Sequence, residues 1–186
     1  MPDKIKAVFF DRDGTLIHEK PGTYLSDPDA VRLYAPVKAA LQRLARAGFV
    51  FFIVSNQSGI GRGYFTEKEV KAVHARLEAL LQPVKIQEIV FCPHSPEQPC
   101  RCRKPGTLLG ENLITKYHID TARSFMVGDK KADVIFGQTL GMKSVLMLTA
   151  NGKNHLKKYP ELKPNFIAAN MRCAAGYIAR EDKKYA

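Results

Sequence analysis

The feature that most constrains this chain is its alternation of short apolar runs with amphipathic segments of helical period. Residues 6–10, 49–54, 86–91, 124–127, 144–148 and 166–169 are apolar runs with β-branched or aromatic residues, the length of strands rather than of core helices. Between them, Pro36 opens a helix with Val37, Ala40, Leu41 and Leu44 at helical spacing, closed by Gly48. Thr66 and Glu69 form a capping box ahead of a helix that turns Val70, Val73, Leu77 and Leu80 inward. Further helices are predicted over 108–117 and 132–140 and after the last strand, while the polar stretch around Pro160 and Pro164 reads as a connection. Strand followed by helix, repeatedly, implies parallel crossovers. The expected fold is therefore α/β, a Rossmann-like parallel sheet with helices on both faces, in a single domain over 1–186. Ligands of such sheets collect at the carboxyl ends of the strands, so the polar residues there carry the functional question.

Bulk properties narrow the classes. With 186 residues the chain can bury a core without disulfides, and its 45% apolar and 25% charged residues are those of an ordinary globular protein. No apolar run reaches the roughly 18 residues of a membrane span, and Met1-Pro2-Asp3-Lys4 begins no secretory signal; a cytoplasmic protein without membrane contact is expected. The formal charge of +11 invites a nucleic-acid partner. Yet the basic residues are scattered, with only pairs such as Lys130-Lys131, Lys157-Lys158 and Lys183-Lys184. No nucleic-acid partner is expected, and a positive field that steers phosphate esters is the simpler account.

Four polar groups sit at or beyond the strand ends: Asp11-Arg12-Asp13-Gly14-Thr15, Ser55-Asn56-Gln57-Ser58, Arg103-Lys104-Pro105, and Gly128-Asp129-Lys130 with Asp133. They equip a chain for phosphoryl transfer through a carboxylate. A phosphate ester dianion repels an anionic nucleophile until a metal and a cation neutralise it. Asp11 can then attack, splitting hydrolysis into two steps. Asp13, past a turn, can protonate the leaving alkoxide and later deprotonate water. Asp129 joins Asp11 and Asp13 as a Mg²⁺ ligand. Ser55 offers a hydroxyl to the phosphoryl group, and Lys104 a point charge. Taken singly, each of these residues is an ordinary turn former. Asp133 is left open between metal ligand and helix cap.

Cys92, His94, Cys100 and Cys102 supply three thiolates and an imidazole in one short loop, the donor set of a closed structural Zn²⁺ site. Buried cysteines beside a surface histidine are the alternative. The loop runs directly into Arg103 and Lys104, so a bound zinc would fix both cations. Cys173 reads as a small apolar filler of the last helix, and His18, His74, His118 and His155 as surface or packing residues.

In their order, these motifs resemble those of the haloacid-dehalogenase-like phosphatase superfamily. The Cys-Pro-His and Cys-Arg-Cys-Arg-Lys-Pro loop, with the run Ser55-Asn56-Gln57-Ser58-Gly59-Ile60-Gly61-Arg62-Gly63, is similar to the D-glycero-D-manno-heptose 1,7-bisphosphate phosphatases and, more distantly, to the histidinol-phosphate phosphatases. The resemblance implies removal of the C7 phosphate from a small phosphorylated sugar, with Mg²⁺ as cofactor and zinc as a structural ion. It implies substrate contacts from Arg12, Asn56, Gln57, Ser58, Arg103, Lys130 and Glu19. No large insert separates the first three motifs, so no cap domain is expected, only loops near 19–25 and 92–102 around an open site. A monomer is expected. The alternatives are a histidinol-phosphate phosphatase, a nucleic-acid 3′-phosphatase, and a zinc-stabilised binding module without activity.

Overall fold

The structure, a computed structural model, describes residues 4–19 and 24–185. Its centre is a six-stranded sheet made of β1 (Ala7–Phe10), β2 (Val50–Asn56), β3 (Glu88–Cys92), β4 (Phe125–Gly128), β5 (Lys143–Met147) and β6 (Phe166–Ala168). All pairings are parallel, in the order β3-β2-β1-β4-β5-β6, with Phe10 opposite Ile53 on one side and Val127 on the other. The expected architecture is present.

The helices are α1 (Val37–Arg46), α2 (Ser58–Gly61), α3 (Glu67–Leu81), α4 (Leu108–Tyr117), α5 (Lys131–Thr139), α6 (Gly152–Lys158) and α7 (Met171–Asp182). Side chains alternate across a strand, and β1 shows the consequence: Val8 and Phe10 pack in a core with residues of α1, α3 and α7, whereas Ala7 and Phe9 pack with residues of α4 and α5. Both faces are thus covered, which is why the central strands read as unbroken apolar runs. The Thr66–Glu69 capping box forms as expected.

Two helices depart from the expectation. α2 forms where no element was read, and α6 where a polar connection was read. Both are short, and α6 buries only Gly152, so neither leaves an apolar periodicity to detect. Cys173 is also corrected: it lies on α7 but is exposed, because the buried face of that helix runs through Met171, Ala174, Ala175 and Ile178. No helix among the described residues is long and apolar enough to cross a membrane.

Candidate active site

The crossovers on the two sides of β1 run in opposite directions, to β2 and β3 one way and to β4, β5 and β6 the other. A crevice opens at such a switch point, beyond the carboxyl ends of the strands. Here it is a cavity of about 270 Å³. Its lining includes Asp11, Asp13, Glu19, Ser55, Asn56, Gln57, Ser58, Arg103, Lys104, Lys130 and Asp133. Of the residues expected to act at the site, only Arg12, Asp129 and the zinc-type ligands stand outside that lining.

The backbone delivers Asp11 to this point. Its N–H donates to Val127 O at 2.9 Å, extending the β1–β4 pairing one residue past the strand. Lys104 arrives from a distant loop, held by a reciprocal pair: its N–H donates to Asn56 Oδ1 (2.9 Å) while Asn56 Nδ2 donates to its carbonyl (3.0 Å). The Lys104 ammonium then donates to Asp11 Oδ1 (2.8 Å), Asp133 Oδ1 (2.7 Å) and Val54 O (2.6 Å). All three protons are used, as burial of a charge requires. Burial works against this charge, but Asp11 and Asp133 outweigh it and hold the Lys104 pKa above the usual lysine value. Burial likewise works against the Asp11 carboxylate, and Lys104 and Lys130 overcome it, so Asp11 titrates below the usual carboxylate range. That direction favours the ionised carboxylate, the form a carboxylate nucleophile would need.

Asp129, after β4, has a different environment. Its Oδ2 accepts from Asn151 N (2.9 Å) and Asn151 Nδ2 (3.0 Å), while its Oδ1 is buried with no hydrogen-bond partner. Burial, with Asp11 and Asp133 adding to it and Lys130 opposing, pushes the Asp129 pKa up to about 7. Gly14 makes this closeness possible. With φ at +81°, it stands where a Cβ would come within 2.7 Å of Asp129 Oδ2.

Oxygens of Asp11, Asp129 and Asp133 lie within 4.8 Å of one another. An orphaned carboxylate oxygen among like charges leaves room for a cation, and all-oxygen donors suit Mg²⁺. Of the three expected Mg²⁺ ligands, Asp11 and Asp129 bring their carboxylates into this group. The Asp13 side chain is not in this group; Arg12 and Gln57 hold it elsewhere. Asp133 stands in the group as well; its Oδ2 accepts from Lys130 N at the start of α5 (3.0 Å), the contact of a helix cap, and its Oδ1 faces the Lys104 ammonium.

Arg12, expected to touch substrate, is corrected: it is fully buried and not part of the cavity lining. Glu19 does line the cavity, tied to Lys130 Nζ (3.2 Å) and Asn151 Nδ2 (3.1 Å); burial raises its pKa against the opposing charge of Lys130. Ser55 Oγ accepts from Gln57 Nε2 (2.7 Å), and Ser58 Oγ meets the Tyr24 hydroxyl (3.3 Å). Residues 20–23 of the expected 19–25 loop lie outside the described residues.

Sequence reasoning missed Asn151 and Thr149, whose hydroxyl bonds to Gly14 O, and it treated His155, which lines the cavity, as a surface or packing residue. Thr149 and Asn151 follow β5, so the strand-end rule that found Asp11 and Asp129 points to them as well.

The cysteine loop leads into Arg103 and Lys104, which line the cavity. Cys92 Sγ lies 3.7 Å from Cys100 Sγ and 3.3 Å from Cys102 Sγ, and His94 Nδ1 lies 3.2 Å from Cys102 Sγ. Those spacings are close to the ~3.8 Å edge of a tetrahedron with zinc–sulfur bonds of about 2.3 Å. Burial and the bond to Cys102 push the Cys92 thiol up to about 12, so only a bound cation favours its thiolate. The four donors can hold zinc, and the donor set fits that metal. Arg103, next along the chain, donates to His94 O at 3.4 Å.

A family model described as HAD-hydrolase-like matches residues 101–174. The chain is 37% identical over 152 residues to the D-glycero-beta-D-manno-heptose-1,7-bisphosphate 7-phosphatase of Haemophilus ducreyi, covering 77% of this chain and 82% of that one. It is 38% identical over 139 residues to the histidine biosynthesis bifunctional protein HisB of Legionella pneumophila, covering 74% of this chain but only 40% of the relative. Among solved structures, the D,D-heptose 1,7-bisphosphate phosphatase from B. bronchiseptica, complexed with magnesium and phosphate, superposes with a TM-score of 0.86 at 26% identity, over 95% of this chain and 99% of that one.

Proposed function

The chain belongs to the haloacid-dehalogenase-like family of D-glycero-D-manno-heptose 1,7-bisphosphate phosphatases, and from that premise we propose that it removes the C7 phosphate of this sugar bisphosphate through an aspartyl-phosphate at Asp11. The observation that carries the reading is the buried contact of the Asp11 carboxylate with the Lys104 ammonium at 2.8 Å, beside the orphaned oxygen of Asp129. Asp11 attacks phosphorus, forming one P–O bond as the ester P–O bond breaks. Asp13 gives its proton to the leaving alkoxide, then takes one from the water that releases inorganic phosphate. Lys104 holds nucleophile and phosphoryl group together, and Ser55 donates its hydroxyl to a phosphoryl oxygen.

Asp11 and Asp129 are the residues that would hold Mg²⁺, with Asp133 beside them; when bound, the ion neutralises charge on the phosphoryl oxygens. Cys92, His94, Cys100 and Cys102 are the residues that would hold zinc, which when bound would stiffen the loop that presents Arg103 and Lys104. Asn56, Gln57, Ser58, Arg103, Lys130 and Glu19 form the wall against which the sugar packs. The reading makes the chain a cytoplasmic, single-domain monomer.

A histidinol-phosphate phosphatase is the second reading, favoured by the likeness to the HisB proteins. Phosphate release from heptose bisphosphate, histidinol phosphate and a 3′-phosphorylated oligonucleotide, with and without Mg²⁺, separates the possibilities. The heptose compound is expected to give the highest kcat/KM, and Asp11→Asn to abolish turnover while leaving the fold intact. Turnover surviving in Asp11→Asn would refute the covalent step.

A further inference from the structure

Four acids line the cavity, and Asp129 stands behind them, yet the carboxylate expected to move protons is kept apart from the cation cluster. A fully buried cation, Arg12, does this. Its Nε donates to Asp13 Oδ1 (3.1 Å) and Oδ2 (3.0 Å), and its Nη2 lies 3.0 Å from the same Oδ2. Nη2 also donates to Gln57 Oε1 (3.0 Å) and to Leu25 O (3.5 Å). Gln57 closes the ring: its Nε2 donates to Asp13 Oδ2 (2.9 Å) and to Ser55 Oγ (2.7 Å). Arg12 itself is anchored because its carbonyl accepts from Leu16 N (3.0 Å) and Ile17 N (3.2 Å) in the turn after β1.

Burying a guanidinium without full compensation costs stability, and here Nη1 has no hydrogen-bond partner. Such a residue would be replaceable by an apolar one if it served packing alone. What it does instead is fix both torsions of Asp13 from a single rigid plane. An Asp side chain freed of this grip can swing towards the space shared by Asp11, Asp129 and Asp133, where a divalent cation would capture it and end its proton transfers.

We propose that Arg12 and Gln57 are positioning residues that hold the Asp13 carboxylate out of the cation cluster and in register with the leaving oxygen. The inference rests on the phosphatase reading above. Arg12 touches no substrate and acts through Asp13, whereas Gln57 acts through both Asp13 and Ser55.

The test exploits leaving-group chemistry. Proton donation matters greatly for an alkoxide and little for a nitrophenolate, so Arg12→Met and Gln57→Leu are assayed by kcat/KM on an alkyl phosphate and on p-nitrophenyl phosphate with Mg²⁺. Misplacing the acid should cost about 100-fold on the alkyl ester and, in Arg12→Met, less than about threefold on the aryl ester; Gln57→Leu, whose side chain also lines the cavity, should lose far more on the alkyl than on the aryl ester. Because Asp13 also activates water, the variants should release a burst of nitrophenolate close to one equivalent before a slow steady state. Arg12→Lys should recover part of the alkyl activity. The losses in Arg12→Met and Asp13→Asn should not multiply in the double variant. If Arg12→Met does not fold, Gln57→Leu and Arg12→Lys carry the test. Equal losses on both esters without a burst, or multiplying losses, would overturn the inference. A wild-type enzyme inactive on every phosphate ester would instead overturn the phosphatase reading itself.

Discussion

Replacing Lys104 by Met keeps the length of the side chain and removes its charge from a site where it donates three hydrogen bonds. The side chains of Lys104, Asp11 and Asp133 are 2%, 6% and 2% exposed. Solvent therefore cannot substitute for the lost ammonium. Breaking a buried pair from one side costs about 3–5 kcal/mol, and here two carboxylates are left behind. For a chain of this size, each kcal/mol shifts the melting temperature by about 2–4 °C, so a fall of roughly 10 °C is expected at pH 7.

The sign of the pH dependence is fixed by the same contacts. Asp11 is held below its ordinary pKa, so its contribution is present above the unfolded value of 3.8 and lost as pH falls through the folded one. Without Lys104 that contribution vanishes and protonation relieves the repulsion, so the gap between wild type and variant should narrow on acidification. Circular dichroism melts without added Mg²⁺ from pH 4 to 8 measure it, and kcat/KM should fall by about 10²–10³. A loss below about 1 kcal/mol that does not vary with pH is what a solvated surface pair gives, and it would refute this account.

Three further outcomes are expected. His74, packed on Phe91 and buried on α3, has its pKa lowered to about 3 by burial and by the charge of Arg12; the unfolded chain binds a proton there near pH 6.5 while the folded chain does not. Stability should therefore fall between pH 6.5 and about 3 by up to about 1.4 kcal/mol per unit, and His74→Leu should flatten that slope in urea titrations; an unchanged slope would contradict it. Asn151→Leu removes the side-chain donor to Asp129 and should weaken Mg²⁺ binding about 10–100-fold by calorimetry, with unchanged affinity counting against the role. Metal analysis should find one zinc per chain in the wild type and none in Cys102→Ser, whose kcat/KM drops about 10–100-fold through the displaced Arg103 and Lys104; a zinc-free, fully active wild type would remove the structural role.

The sheet was legible because its strands are buried on both faces and so read as apolar runs. Asp11, Ser55 and Asp129 were legible because parallel strands point their carboxyl ends at one crevice. What escaped has physical reasons. Helix α6 presents no apolar stripe, so nothing in its spacing marks it as a helix. The pairing of Asn56 with Lys104 joins residues 48 apart, a contact decided by how a loop folds back. The alternation Asp11-Arg12-Asp13 gives the residues but not which side of the turn each faces, and so Arg12, which is fully buried, was read as a substrate contact. Cys173 misled for a simpler reason: composition says cysteine is usually buried, and the phase of α7 overrules it.

The arrangement of acids explains where an external cation belongs. Asp11, Asp13, Glu19, Asp129 and Asp133 crowd one crevice, and so many like charges cannot all stay ionised without partners. The fold assigns the cations unequally. Lys104 lies between Asp11 and Asp133, Arg12 grips Asp13, and Lys130 bonds to Glu19. Asp129 receives only the neutral amides of Asn151, and one of its oxygens receives nothing. Had a lysine filled that place, the site would be electrostatically complete and closed to metal. Because an amide stands there, the charge deficit is focused on a single oxygen beside Asp11, so that Asp11 and Asp129 are the residues that would hold a divalent ion, which when bound would offset negative charge in the crevice.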